Sequence, residues 1–204
     1  MNVENWSGLS STYISHLESV DKLCNSKFLN TPVTTPREAM YLELELMSLN
    51  TTIKARRVNF LHYLVTRSES EMIYKVFIQQ WHRPVKNDWT TAVRQDLKDF
   101  HMEENLENIK TKYQEVFKKQ VKQKVQIYEF NQLMSAKQRH TKMDNLNYSK
   151  LEIQEYFKLE NMNTAGAQTL FKYRVRMANF SENFCGNQGP LLFHYVVIIW
   201  TVNK

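Results

Sequence analysis

The chain of 204 residues suits one or two small domains, and its 42 % hydrophobic content supports a core without oversupplying one. Gly 4 and Pro 4 are too few turn residues for an all-β chain or a doubly wound sheet, so an all-α fold is expected. Lys+Arg 27 against Asp+Glu 21 leaves +6, and the two cysteines, Cys24 and Cys185, form neither a disulfide framework nor a C-x-x-C motif.

The start, MNVENWSGLS, is polar and lacks the basic and apolar regions of a signal peptide, so an intracellular, non-secreted protein is expected. Ser10 or Ser11 caps a helix to about Phe28, with Ile14, Leu17, Val20 or Asp21, and Cys24 at helical spacing. Cys24 is expected in the core. NTPVTTP breaks that helix. Thr35, Pro36 and Glu38 then form a capping box for a helix carrying Ala39, Tyr41, Leu42, Leu44 and Leu46. A longer helix runs from about Asn50 to Thr66 and contains the basic run Lys54, Arg56, Arg57. Ser68 and Glu71 make a second capping box for a helix ending near Trp81, which Pro84 closes. Asp88 caps a helix from Trp89 to about Phe100.

The dominant element is expected from Thr111 to about His140. Tyr113, Phe117, Val121 and Val125 recur every four residues, and Ile127, Phe130 and Met134 continue the stripe. Such a helix would be about 45 Å long. Between Lys110 and Lys142 nine basic residues face only Glu115 and Glu129, so the segment carries +7 and the rest of the chain is about neutral. Ser149 and Glu152 cap a short helix to about Lys158, and Thr164 opens a last one through Phe171 and Val175 to Met177. The expected fold is therefore an irregular bundle of about seven helices that includes one long basic amphipathic helix.

Motifs for nucleotide, zinc-protease or serine-hydrolase chemistry are absent, and no two aspartates are adjacent as in a polymerase metal site. The histidines (16, 62, 82, 101, 140 and 194) are scattered, and neither cysteine has a nearby sulfur or imidazole partner. No cofactor, metal or catalysis is expected. The positive signal is basic: Lys118, Lys119, Lys122 and Lys124 on the long helix, then Lys54, Arg56 and Arg57, and Arg174 with Arg176 on the last helix. Such surfaces suit the backbone of RNA or DNA. They equally describe the solvated faces of a helical protein–protein interaction module. The apolar run Leu191–Trp200 is shorter than the ~20 residues of a membrane span, so no membrane partner is expected. Its β-prone, uncharged composition favours self-association if exposed.

Four phrases resemble one family in order and spacing from about Asn5 to Phe184: TTPREAMYLELELMSLNTTIKARRVNFLHYLVTR, HRPVKNDWTTAVRQDLKDF, LEIQEYFKLE and LFKYRVRMANFSENF. Together they resemble the region after the polymerase core in reverse transcriptases of non-LTR (LINE-type) retrotransposons. The resemblance implies a thumb-like helical region over 1–100 and a linker-like region over 101–180, holding template RNA or target DNA without the catalytic aspartates. Relatives tend to carry Gly and Pro between two helices where this chain has LELELMSLNT, so those helices are expected to fuse or to meet at a different angle. Relatives also continue into a Cys/His zinc knuckle. Read two bases out of frame, the codons permitted for Leu192–Asn203 allow P-L-C-G-Y-H-L-D-S-Q, so residues 181–204 are read as a frameshifted knuckle. The alternative is a real strand or helix packed on the core.

Overall fold

The computed structural model describes residues 11–102, 105–140, 143, 146–158 and 164–175, and the regular elements among them are nine helices. The all-α expectation is therefore met. Residues 181–204, with Cys185 and the frameshift reading, and the end of the last expected helix, with Arg176, lie outside the described residues.

Helix α1 (Ser11–Phe28) takes the expected span, but of its expected inward positions Ile14 and Asp21 are half-buried while Leu17, Val20 and Cys24 are exposed. Its polar side chains find the protein: Glu18 pairs with Arg37 at 2.6 Å, Asp21 accepts from the Tyr41 hydroxyl, and Ser26 is buried beside Met40. Leu17 and Val20 are consequently turned outward with Cys24, which corrects the expectation that this cysteine is core.

Helix α2 (Arg37–Leu44) starts at Pro36 without the expected capping box. The Thr35 hydroxyl is buried with no hydrogen-bond partner, and Glu38 instead reaches His140 Nε2 at 3.3 Å. Pro36 itself occupies the cap position, which puts Thr35 one residue too early to serve the first turn.

Helices α2 and α3 (Leu49–Val65) do not fuse. Glu45 adopts a left-handed conformation (φ 56°), and both its N–H and that of Leu46 return to the Tyr41 carbonyl. A non-glycine residue there costs about 1 kcal/mol, and Gln126 donates to its carboxylate at 3.0 Å. Ser48 then caps α3, its hydroxyl accepting from Thr51 N–H at 3.2 Å. The buried carboxylate of Glu129 reinforces that terminus, accepting from Ser48 N–H at 3.0 Å and from the Thr51 hydroxyl at 2.5 Å. A negative charge at the amino end of α3 is also favoured by the helix dipole.

The remaining helices are α4 (Met72–His82), α5 (Trp89–Asp99), α6 (Leu106–Lys110), α7 (Gln114–Lys137), α8 (Glu155–Lys158) and α9 (Thr164–Arg174). Asp88 caps α5 as expected, accepting from Thr91 N–H at 2.7 Å. The expected Thr111–His140 helix is shorter, because Thr111–Tyr113 separates α6 from α7. The buried residues of α7 are Phe117, Val121, Val125, Glu129, Leu133 and Lys137, a strict repeat of four. At about 100° per residue, each step of four moves round the helix by about 40°, or about 200° over the whole stripe. The first half of α7 therefore faces one core and the second half another. Phe117, Val121 and Val125 join Val58, Leu61, Phe77, Trp81 and Leu97. Leu133 joins Leu29, Met40, Tyr41, Leu42, Met143, Tyr156 and Phe171. Each core draws on both sides of residue 100, so the sequence-based division there separates neither. Tyr113 and Ile127, expected in the apolar stripe, are 84 % and 57 % exposed.

Candidate nucleic-acid interface

Of the nine basic residues proposed from the sequence, the eight that are described separate by what they meet. On α3, Lys54 and Arg57 sit one turn apart and face Asp96 and Asp99, one turn apart on α5. Arg57 holds Asp96 through two bonds, Nε at 2.7 Å and a terminal nitrogen at 2.9 Å, with the residues 9 % and 1 % exposed. Burial pushes the Asp96 carboxyl upward, and the Arg57 guanidinium opposes that shift. Lys54 pairs with Asp99, lies 3.3 Å from the Tyr128 hydroxyl and stands over that ring at 5.2 Å. Burial disfavours its charge, but the bond to Asp99 prevails and its pKa is raised. Neither cation is free for a phosphate: a buried pair broken on one side leaves an uncompensated charge.

Arg174 on α9 is likewise committed. Its Nε donates at 2.9 Å to Glu43, a carboxylate on α2 with no exposed surface. Tyr156 donates to the other oxygen at 2.5 Å, Tyr148 also donates to Glu43, and the Glu43 carbonyl accepts from Gln154 N–H at 3.1 Å. Burial, then the Glu43 charge, raises the pKa of both tyrosines. The cluster is a tie between α2 and the chain from Tyr148 to Arg174.

Arg56 and the α7 lysines remain at the surface. Arg56, Lys118, Lys119 and Lys122 are exposed, and Lys124 is half-buried. Lys118 pairs with Glu115 at 3.1 Å, a surface pair of little energetic consequence. Arg56, Lys119, Lys122 and Lys124 have no ion-pair partner among the described residues. This half of α7 therefore presents ammonium groups to solvent with one carboxylate, Glu115, beside them.

Further groups escape the sequence reading. Lys112, in the turn before α7, lays its ammonium 3.0 Å from Gln120 Oε1. Its carbonyl is held by His62 Nε2 at 2.8 Å, and His62 stacks on Phe117 with ring centroids 4.7 Å apart. Tyr113, immediately before α7, and Val116 and Ile127 on it are exposed. No signal marks them: Tyr113 continues the repeat of four one turn beyond the start of the helix that buries the rest. Elsewhere, Val65, Tyr74, Trp81, His82 and Lys110 line a cleft of about 420 Å³ beside α4 and α6, with Lys110 held by Glu69 at 3.0 Å. Among the described residues no group of three His, Cys, Asp or Glu side chains is placed to hold a metal, and no helix is long and apolar enough to cross a membrane. Comparison with protein-family models, with curated proteins and with solved structures finds no match for this chain.

Proposed function

We propose that the chain is a non-catalytic helical piece of a LINE-type reverse transcriptase that holds RNA or DNA backbone on α7 without regard to sequence. The observation that carries this reading is the presentation of Lys118, Lys119, Lys122 and Lys124 outside the core, where Arg57 and Arg174 are spent on buried carboxylates and Lys54 on the half-buried Asp99. Ammonium groups on long stems suit phosphates and carry no base readout. The affinity expected is that of non-specific complexes, ~10⁻⁴–10⁻⁶ M.

Changing the four lysines together to Gln preserves helix propensity and removes the charge. The variant should bind a labelled duplex more weakly, and its plot of log affinity against log salt should be flatter by about 3 to 4. Circular dichroism should not change. Parent-like binding by the quadruple variant at low salt would overturn the proposal. In that event a helical interaction module takes precedence, a reading favoured by the outward stripe Tyr13, Leu17, Val20, Leu23 and Phe28 on α1. A stripe of that size marks a contact surface more often than a solvated one.

A further inference from the structure

We infer that the exposed face of α7 is selective for single-stranded nucleic acid, with unstacked bases on the exposed Tyr113 ring and the uncharged strip beyond it, and phosphates on the lysines at its margins. This rests on the α7 lysine reading above and adds the form of the ligand to it.

The placement follows from helix geometry. At about 100° per residue, Val116, Gln120, Gln123 and Ile127 fall within an arc of about 60° along one side of α7. Val116 and Ile127 are each 57 % exposed, and no residue of the strip carries a charge. Lys119 lies about 70° to one side of the strip centre and Lys124 about 70° to the other. Lys112 brings a third cation onto the strip through its bond to Gln120 at 3.0 Å. Tyr113 occupies the cap position immediately before α7, next to Lys112, and is 84 % exposed. Glu115, the one carboxylate in this half of the helix, lies beyond Lys119 and is held by Lys118.

Charge alone would serve duplex and single strand alike. The exposed Tyr113 ring decides between them. A duplex keeps its bases stacked inside and offers this face only phosphates, which would lie against Val116, Ile127 and the Tyr113 ring with no gain. An unpaired strand buries its base faces on such side chains while its backbone follows the flanking cations, and every base offers a π-face, so the contact is indifferent to sequence.

The experiment compares the full-length parent chain, Tyr113→Phe and Tyr113→Ala by fluorescence anisotropy at low salt. The probes are an oligothymidylate of about 20 nucleotides, long enough for one single-strand site, and a duplex of equal length. Tyr113 makes no cap hydrogen bond through its side chain and is exposed, so neither substitution disturbs the core. The parent should prefer the single strand. Tyr113→Ala should lose about 5- to 150-fold on the single strand, the range for one stacked base, with duplex affinity unchanged, and Tyr113→Phe should match the parent. Equal single-strand affinity for Tyr113→Ala and parent would overturn the inference, as would an equal loss on both probes; in either case the lysine reading survives. Absence of binding to both probes overturns the lysine reading and this inference together.

Discussion

At the scale of the residue, the hydrogen bonds around a carboxylate decide its protonation. Asp88 shows the effect at a helix start. Burial alone would raise its carboxyl, but the N–H groups of Val85 and Thr91 and the hydroxyl of Thr90 all donate to it. Those bonds prevail and hold it at about 2 against an ordinary 3.8. A carboxylate depressed in the folded state adds stability that is complete above its unfolded pKa and is lost as pH falls through the folded one. Asp88→Asn keeps a good cap and removes the titration. The parent should be more stable than Asp88→Asn near neutrality, and the gap should close between about pH 4 and about pH 2. Urea midpoints across that range measure it, and a gap that persists unchanged at the acid end would contradict the assignment.

At the scale of the element, α7 is the helix on which the architecture turns. Its repeat of four winds the buried stripe around the helix, so neighbouring apolar residues have opposite fates. Phe117 is 1 % exposed and stacked on His62, whereas Ile127 is mostly exposed. Phe117→Ala should cost about 3–5 kcal/mol, the usual range for a buried ring. Ile127→Ala should stay within about 0.5 kcal/mol. Urea unfolding of the two variants checks this directly, and equal losses would mean that the stripe is misplaced. The contrast also explains why α7 can be both a structural spine and a binding face. The residues that hold it in place are not those proposed to meet nucleic acid.

At the scale of the whole molecule, two hydrophobic cores share α7, and buried polar ties join distant parts of the chain. Glu129 binds α7 to the start of α3, and Glu43 binds α2 to the segment Tyr148–Arg174. Loss of one side of a buried pair is among the larger single-residue penalties. Glu43→Gln should therefore loosen the second core selectively. Hydrogen exchange should show α8 and α9 losing about tenfold or more in protection, with the core around Leu61, Leu97 and Val121 little changed. Uniform loss across both cores, or none, would show that the tie is not a local one.

Helix starts were legible where capping is local: Asp88 accepts from the N–H of Thr91 in the first turn that it governs. The all-α class followed from the same scarcity of turn residues. Even locally the reading failed where a proline displaced a cap, at Thr35, and where a repeat outran its helix, at Tyr113. The candidate site was legible only as a count of lysines on a helix. Which cations remain free depends on carboxylates far along the chain: Arg57 finds Asp96 39 residues away, Lys54 finds Asp99 45 away, and Arg174 finds Glu43 131 away. Which face of α1 turns inward likewise depends on Arg37 and Tyr41 of another helix. The sequence by itself determined where helices form and where basic residues concentrate, since both are properties of neighbours in the chain. Only the tertiary structure decided which charges are neutralised and which apolar side chains stay in water, because the partners that settle both are brought together by folding.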